Sequence, residues 1–327
     1  MIIIYLDNNL SGFPVTEFNH MDRERKKYLR GILFRHLDGI ALCSTISTLH
    51  NKGVTQHILD NPSFNIQQLL NKFECNVGYL NVSLRLMASQ GWLERNIIHD
   101  GENIEFQLTE KGQKCLSLAH HYDTFCQFIP ILIHLDRYLF DPNAKSIQDD
   151  FQNLFDNLEA LNTKHKSPNT PGWEICRQLE GVLIGPILVS LGMSEYFLEN
   201  IEDNREINNE TIGSTLPVLK SIMDFFITLG WLKYDNNNYY FTDEGLFFIK
   251  RSTAYGVTVS YLPTFNQIPE LLFGNPNILW KRSPEGLETH VNRRMNVWGS
   301  GEHTLYILEK LMRSFPIYSI NLSMINP

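Results

Sequence analysis

The 327-residue sequence has few of the features that stabilise small exported or metal-bound domains. Its five cysteines stand apart and never form a Cys-x-x-Cys pair, so neither a disulfide framework nor a structural zinc site is expected. The two longest apolar runs, residues 125–139 and 181–193, fall short of the roughly 18 residues that cross a bilayer. The apolar start, Met1 to Leu6, has no basic flank and is too short for a secretory signal. We therefore expect a cytoplasmic protein with no membrane partner.

Positive charge is also scarce. The sequence has 28 lysines and arginines against 36 acidic residues, a formal net charge of -8. A nucleic-acid surface needs several cationic contacts to phosphates, and such an acidic chain is not expected to supply them. The densest basic run has the composition of a solvated helix face, and its members are Arg23, Arg25, Lys26, Lys27 and Arg30.

Recognisable catalytic motifs are missing as well. The sequence contains no Gly-x-Ser-x-Gly nucleophile elbow, and no cysteine lies in a familiar nucleophile signature. His120, His121, Asp123 and His134 do not have the spacing of a zinc-ligand set, and surface helix histidines are the better interpretation. We assign no catalytic, cofactor-binding or metal-binding residue from the sequence.

An internal repeat organises what is present. An offset of 139 residues, the separation of Trp92 and Trp231, superposes two Gly-Trp-Leu triplets. The same offset also aligns three upstream pairs, so the two copies stay in register over about 40 residues. These pairs are Gly53 with Gly192, Leu59 with Leu198 and Asn61 with Asn200.

Each copy contains the pattern of a winged helix. Leu80, Leu84 and Met87 recur at helical spacing before the first triplet, and Leu219, Met223 and Phe226 do so before the second. Alternating apolar residues then lead to a Thr-acid-x-Gly turn, at Thr109 in the first copy and at Thr242 in the second, which is typical of a hairpin followed by a helix. Each copy is therefore predicted to be a helix-turn-helix with a two-stranded wing.

The predicted fold class is mainly α with small β-wings, in which tandem winged-helix-like units are joined by helices. The first unit with an N-terminal helix occupies residues 1–120, and a helical connector occupies 121–175. This connector is predicted to hold one apolar helix over residues 122–140 and one amphipathic helix over 147–161. The second unit occupies residues 176–255, and a less regular C-terminal region occupies 256–327.

The most site-like cluster lies near the C-terminus. Residues 296–303, Asn-Val-Trp-Gly-Ser-Gly-Glu-His, combine an indole, an amide and an imidazole with two closely spaced glycines. Two glycines permit close backbone approach. A Rossmann loop would need a preceding apolar strand and a third glycine, so a structural turn is the favoured interpretation.

Three sequence runs resemble a known family. The run LMASQGWLERN with FQLTEKG is similar to the winged-helix lid of small-molecule S-adenosylmethionine-dependent methyltransferases. The runs YGVTVSYLPTFNQIPELLFGNP (residues 255–276) and HVNRRMNVWGSGEHTLY (residues 290–306) resemble methyltransferases of polyketide-synthase loading modules, of the apratoxin and gephyronic acid type. The resemblance covers roughly residues 35–306.

That resemblance implies a lid followed by a Rossmann-like core that binds S-adenosylmethionine and, in some members, a metal. The core's acid-x-Gly-x-Gly-x-Gly loop is not found in this sequence, so the C-terminal region is expected to be truncated at the junction between lid and core. The chain alone is then expected to be inactive and to hold no cofactor, since S-adenosylmethionine would bind only with a complete core. The resemblance would place Asn296, Trp298 and His303 where a substrate or carrier arm enters.

Several alternatives stay open, including whether the chain is part of an enzyme. The partners to consider are a second copy of the chain, a separately encoded methyltransferase core and an acyl carrier protein. The competing function is a non-enzymatic winged-helix regulator or protein-interaction scaffold. Regulation through DNA binding ranks lower because of the charge.

Overall fold

The computed structural model describes residues 21–98, 103–194, 206–208 and 216–301. The first half contains a long helix, a winged-helix unit and a connector. Its helices are α1 (Arg23–Asn51), α2 (Val54–Asp60), α3 (Ile66–Lys72), α4 (Val77–Ser89), α5 (Glu110–Leu116), α6 (His121–Cys126), α7 (Ile129–Leu132), α8 (Leu135–Tyr138) and α9 (Lys145–Lys164). Its strands are β1 (Ser63–Asn65), β2 (Leu93–Ile98) and β3 (Asn103–Leu108).

The second half repeats this plan and adds a helical end. Its helices are α10 (Pro171–Gly192), α11 (Pro217–Thr228), α12 (Asp243–Ile249), α13 (Thr253–Ser260), α14 (Leu262–Phe265) and α15 (Ile268–Phe273). Its strands are β4 (Glu206–Asn208), β5 (Leu232–Asp235) and β6 (Asn238–Phe241). A 3-10 helix follows at Pro276–Trp280, and a last helix, α16, starts at residue 293 and reaches residue 301.

The two copies share one sheet topology. Each is a three-stranded antiparallel sheet in which the wing's second strand lies in the middle, in the orders β1-β3-β2 and β4-β6-β5. Phe64 pairs with Phe106 in the first sheet, and Ile207 pairs with Tyr239 in the second. The expected fold class, mainly helical with small wings on two winged-helix units, is confirmed. The short strands β1 and β4 add a third strand that the two-stranded prediction lacked.

The corner around each tryptophan is built in the same way. Gly91 and Gly230 adopt positive φ angles of 71° and 74°, which lets the chain turn from the helix into the wing. The Trp92 amide donates to the Met87 carbonyl, 3.0 Å away, and the Trp231 amide donates to the Phe226 carbonyl, 2.8 Å away. The repeat in sequence is therefore also a repeat of backbone hydrogen bonds.

A threonine closes each corner. The Thr109 hydroxyl donates to the Gly91 carbonyl at 2.8 Å, and the Thr242 hydroxyl donates to the Gly230 carbonyl at 2.9 Å. Both side chains also cap the helix that follows, because Thr109 accepts from the Gly112 amide and Thr242 from the Gly245 amide. The Thr-acid-x-Gly turn of the sequence is thus a helix N-cap that is hydrogen-bonded to the backbone beside the tryptophan.

The core is centred on two long helices, α1 and α10, which pack on each other more extensively than any other pair of described helices. Glycines let their backbones approach closely. A Cβ atom on Gly39 would lie 1.9 Å from the Gln178 carbonyl oxygen, and one on Gly181 would lie 2.2 Å from the His36 Cα atom. The stripe residues Leu80, Leu84 and Met87 are buried in the same core, as are Leu219, Met223 and Phe226.

Of the two helices predicted in the connector, one was wrong and one is confirmed. The single apolar helix expected over residues 122–140 is three short helices, α6, α7 and α8, because the chain turns before Pro130, which lies in the first turn of α7, and again at His134. The amphipathic helix expected over residues 147–161 is confirmed within α9, with Phe151, Leu154, Phe155 and Leu158 buried.

Two of the expected domain boundaries fall inside continuous helices. The boundary at 175/176 falls inside α10, and that at 255/256 falls inside α13. The paired glycines differ as well, since Gly53 has a φ of 76° whereas Gly192 is the last residue of α10. Gly192 is small for a packing reason, because a Cβ atom there would lie 2.4 Å from the Ser252 hydroxyl oxygen. Leu198 and Asn200 lie outside the described residues.

Helix α10 is longer than the apolar run 181–193 that the sequence suggested. With 22 residues, it is the one helix of the described part of the chain that is long and apolar enough to cross a bilayer. Its apolar surface is already covered, since 94% of its most apolar window is buried inside the protein. It is the core helix of the fold described here.

Candidate functional site

The surface that winged helices use to read DNA is the exposed face of the second helix of the helix-turn-helix. In the second unit that helix is α11, and it packs against connector helix α9. The Phe155 and Phe225 rings stack with their centroids 4.0 Å apart. An aromatic stack therefore covers part of the surface with which α11 would meet another molecule.

In the first unit the equivalent helix, α4, is contacted at its N-terminus. The amide of Asn76, the residue that caps α4, donates to the Leu272 carbonyl of α15 at 2.7 Å. A different part of α4 remains open, since Val77 and Val82 are 54% and 59% exposed. Arg85 is its only basic residue. The open part of α4 is therefore more apolar than charged.

Two of the three predicted substrate residues, Asn296 and Trp298, fall on α16. Asn296 is half-buried, and its side-chain amide donates to the Ser260 hydroxyl of α13 at 3.0 Å. Trp298 is half-buried near the end of α10, where a Cβ atom on Gly192 would lie 2.9 Å from the indole. His303 lies outside the described residues. The structure thus places Asn296 and Trp298 on one helix, where each contacts a different neighbour.

The expected Gly-x-Gly turn at residues 299–301 is wrong, since these residues continue helix α16. The glycines serve helix packing. A Cβ atom on Gly256 would lie 2.8 Å from the Gly299 Cα atom, so α13 and α16 cross almost backbone to backbone. Asn292 starts the helix by accepting from the Met295 amide at 3.1 Å. The cluster is therefore a helix crossing that carries Asn296 and Trp298.

The histidines of the connector do not form a ligand set. His120 and His134 are exposed, and the His120 and His121 rings lie 4.0 Å apart. Burial and the neighbouring His120 lower the pKa of His121 to about 4. Among the described residues, no group of three His, Cys, Asp or Glu side chains could hold a metal ion. The prediction of surface histidines is therefore correct for His120 and His134 but not for His121, which is half-buried.

The structure reveals a buried polar chain that the sequence did not suggest. His36 of α1 contacts the Tyr255 hydroxyl through Nδ1 at 2.9 Å and Glu180 through Nε2 at 3.0 Å. The Glu180 carboxylate also pairs with Arg177 at 2.7 Å. His36, Glu180 and Tyr255 are almost fully buried. This chain links α1, α10 and α13 through their polar groups at the centre of the core.

Burial and the neighbouring charges act in opposite directions on the pKa values of His36 and Glu180. Burial lowers the pKa of His36 below its usual value, against its hydrogen bond to Glu180, so the imidazole is held neutral. Burial acts to raise the pKa of Glu180, but the Arg177 guanidinium and His36 leave it below its usual value. A neutral His36 satisfies both contacts when Nε2 donates to Glu180 and Nδ1 accepts from Tyr255. Neither of two open grooves on the described surface, one beside Trp173 and one beside His165, is lined by His36, Glu180 or Tyr255.

A second polar cluster joins the first unit to the start of α10. The carboxylate of Glu174 pairs with Arg35 of α1 at 3.1 Å and with Lys111 of α5 at 2.6 Å. These pairs are only partly exposed to solvent. They fix α5 and α1 on the N-terminal turn of α10, so they act on the packing of the units.

The fold defines a protein with two winged-helix units whose long helices share one core. Comparison with known families gives a closer description. Residues 29–95 match the model of the AprA N-terminal domain, and residues 180–275 match that of the AprA winged helix domain. The chain therefore contains two AprA-like regions, one in each half. No curated protein matches the chain.

Sequence reasoning missed the buried polar residues because each is isolated in the sequence. His36, Glu180 and Tyr255 come together only when α1, α10 and α13 pack. One signal was available, since Glu174, Arg177 and Glu180 recur at helical spacing within the mostly apolar α10. Charged residues on a helix that is otherwise buried require partners.

Proposed function

We propose that this chain is the lid portion of a polyketide-type methyltransferase that uses S-adenosylmethionine. The two AprA-like matches support the proposal, because both fall almost entirely within residues 35–306, the span of the resemblance to methyltransferases. The family match at residues 180–275 also includes the segment 255–275, most of the run YGVTVSYLPTFNQIPELLFGNP.

The lid is proposed to contribute surface and shape, while the cofactor lies in a separate core. A Rossmann-like core is built on a parallel sheet with a glycine-rich loop after its first strand. Both sheets in the described part of this chain are antiparallel and belong to the wings. The glycine-rich loop of that core is likewise not found in the sequence.

Helix α16 is the proposed junction with the core. Val297 is 65% exposed on this helix, next to the half-buried Trp298. A substrate or carrier arm is proposed to pass Asn296, Trp298 and His303. The Asn296 bond to Ser260 would hold the start of this path against α13.

Calorimetry with S-adenosylmethionine tests the placement of the cofactor. The full chain is expected to show no binding heat at millimolar ligand. A micromolar dissociation constant, about -8 kcal/mol, would mean that the cofactor site lies in this chain and would refute the proposal.

Alanine substitutions test the proposed junction once methyl transfer is reconstituted with a core. Trp298→Ala and His303→Ala are expected to lower the rate, whereas Val297→Ala, at the exposed neighbour of Trp298, is the control. Unchanged activity in the first two variants would remove these residues from the substrate path.

The alternative, a non-enzymatic regulator or scaffold, has one observation in its favour. Val77 and Val82 on α4 and Ile97 on the first wing are all more than half exposed. Exposed apolar groups on a winged helix favour protein contact over phosphate contact. A stable complex with a protein other than a methyltransferase core, lost in Val82→Asp, would favour this alternative.

A further inference from the structure

The interface between α1 and α6 contains two cysteines from distant parts of the sequence. Cys43 lies in the middle of α1 and is fully buried, whereas Cys126 is the last residue of α6 and is half-buried. The remaining cysteines are Cys75, Cys115 and Cys176, and all five are free thiols.

The contacts across this interface bring the two thiols together. The Cys43 sulfur lies 3.7 Å from the Tyr122 carbonyl oxygen, one helical turn before Cys126. The Cys126 sulfur lies 3.8 Å from the hydroxyl of Ser44, the neighbour of Cys43. The two cysteine side chains therefore meet the opposite helix at the same level of the interface.

A second set of bonds fixes the same register. The Ser47 hydroxyl donates to the Asp123 carboxylate at 2.7 Å, and the Asn51 side chain donates to it at 3.2 Å. Ser44, Ser47 and Asn51 follow one face of α1, so the pairing of α1 with α6 continues for two turns beyond the cysteines. Cys43 and Cys126 therefore face each other's helices within a hydrogen-bonded interface.

From this geometry we propose that Cys43 and Cys126 form a peroxide-reactive dithiol, in which Cys126 is oxidised first and Cys43 then closes a disulfide. The inference is independent of the proposed lid function. Half-buried Cys126 is the more exposed of the two cysteines, and buried Cys43 at the same interface would act as the resolving thiol.

The chemistry of both steps balances. The Cys126 thiolate attacks one oxygen of hydrogen peroxide, the O–O bond breaks, and the leaving hydroxide takes a proton to become water. Cys126 is then a sulfenic acid. The Cys43 thiol loses its proton as its sulfur attacks the sulfenic sulfur, and the expelled hydroxide leaves as a second water. Two thiols and one peroxide give one disulfide and two waters.

The surroundings favour Cys126 as the first thiol to react. Interactions with the Cys43, Ser47 and Ser44 side chains lower the pKa of Cys126 to about 7, although burial and Asp123 act against this. Burial instead raises the pKa of Cys43 and of Cys75. Since thiolates are the reactive form, Cys126 is expected to react on the order of tenfold faster than Cys75.

The test treats the full chain with a few equivalents of hydrogen peroxide, blocks remaining thiols with N-ethylmaleimide and analyses a non-reducing digest by mass spectrometry. A peptide pair joined through Cys43 and Cys126 is expected, and dithiothreitol should remove it. Cys75→Ser is the matched control, because Cys75 is also half-buried, and it should leave the cross-link unchanged.

Variants at Cys43 separate the two steps. In Cys43→Ala, and in Cys43→Ser as a second variant, Cys126 should stop at the sulfenic acid and become labelled by dimedone. The proposal is overturned if no cross-link forms at peroxide doses that oxidise Cys75. It is equally overturned if dimedone labels Cys126 to the same extent in the wild-type chain and in both Cys43 variants.

Discussion

Truncation of matched residues in the two copies measures whether both apolar stripes hold the fold together. Leu84 on α4 and Met223 on α11 are separated by the repeat offset of 139 residues, and both are fully buried at 0% exposure. Replacing either residue with alanine removes buried methylene groups and leaves a cavity. Each change is expected to cost about 2–5 kcal/mol.

The size of this effect can be followed by thermal unfolding. Each kcal/mol shifts the melting temperature by roughly 2–4 °C in domains of about 150–250 residues, so Leu84→Ala and Met223→Ala should each lower it by at most about 4–20 °C. Val82→Ala is the control on α4, because Val82 is 59% exposed, and Ile227→Ala is the control on α11, at 36% exposed. Each control should change stability by no more than about 0.5 kcal/mol.

The stability losses in the two copies can each contradict the proposed packing. If Leu84→Ala or Met223→Ala were no more costly than its control on the same helix, that stripe would not be part of the core. A large loss in one copy with none in the other would show that the repeat in sequence is not a repeat in packing.

Two further predictions concern the centre of the core. Gly39→Ala should destabilise the chain by about 1–3 kcal/mol or more, because the added methyl group meets the Gln178 backbone. Gly31→Ala on the same helix is the control, since its methyl group enters open space and should be neutral or stabilising. Equal effects of the two variants in urea unfolding would contradict the close crossing of α1 and α10. The free energy of unfolding should fall as pH drops below about 6.5, because the unfolded chain protonates His36 while the folded core keeps its pKa low. His36→Asn should reduce the pH dependence below about 6.5, and an unchanged dependence in denaturant titrations would show that His36 is not held neutral.

Much of the fold could be predicted because its signals are local. The helical spacing of Leu80, Leu84 and Met87 and the Gly-Trp-Leu corners depend on neighbours within one turn, and the structure confirms both. The three-part break of residues 122–140 was missed because apolar periodicity alone does not show where a buried chain turns.

Features that depend on contacts between distant elements were not visible in the sequence. The glycines at 299 and 301 gave the signature of a turn, but the packing of Gly299 on Gly256 makes this segment a helix. The His36, Glu180 and Tyr255 chain and the Cys43 and Cys126 pair likewise need the packed helices before they exist. The sequence selected Asn296 and Trp298 as candidates, but it could not show that they contact Ser260 and Gly192.

Methyl transfer reconstituted in trans is the most direct test of the central claim that this chain supplies packing surface to a core elsewhere. The full chain would be mixed with a separately produced S-adenosylmethionine-binding core of a loading-module methyltransferase, and transfer of a labelled methyl group to an acyl-loaded carrier protein would be measured. The account predicts no transfer by the chain alone and a clear gain when it is added to the core. Transfer by the chain alone, or a core whose rate does not respond to the chain, would contradict it.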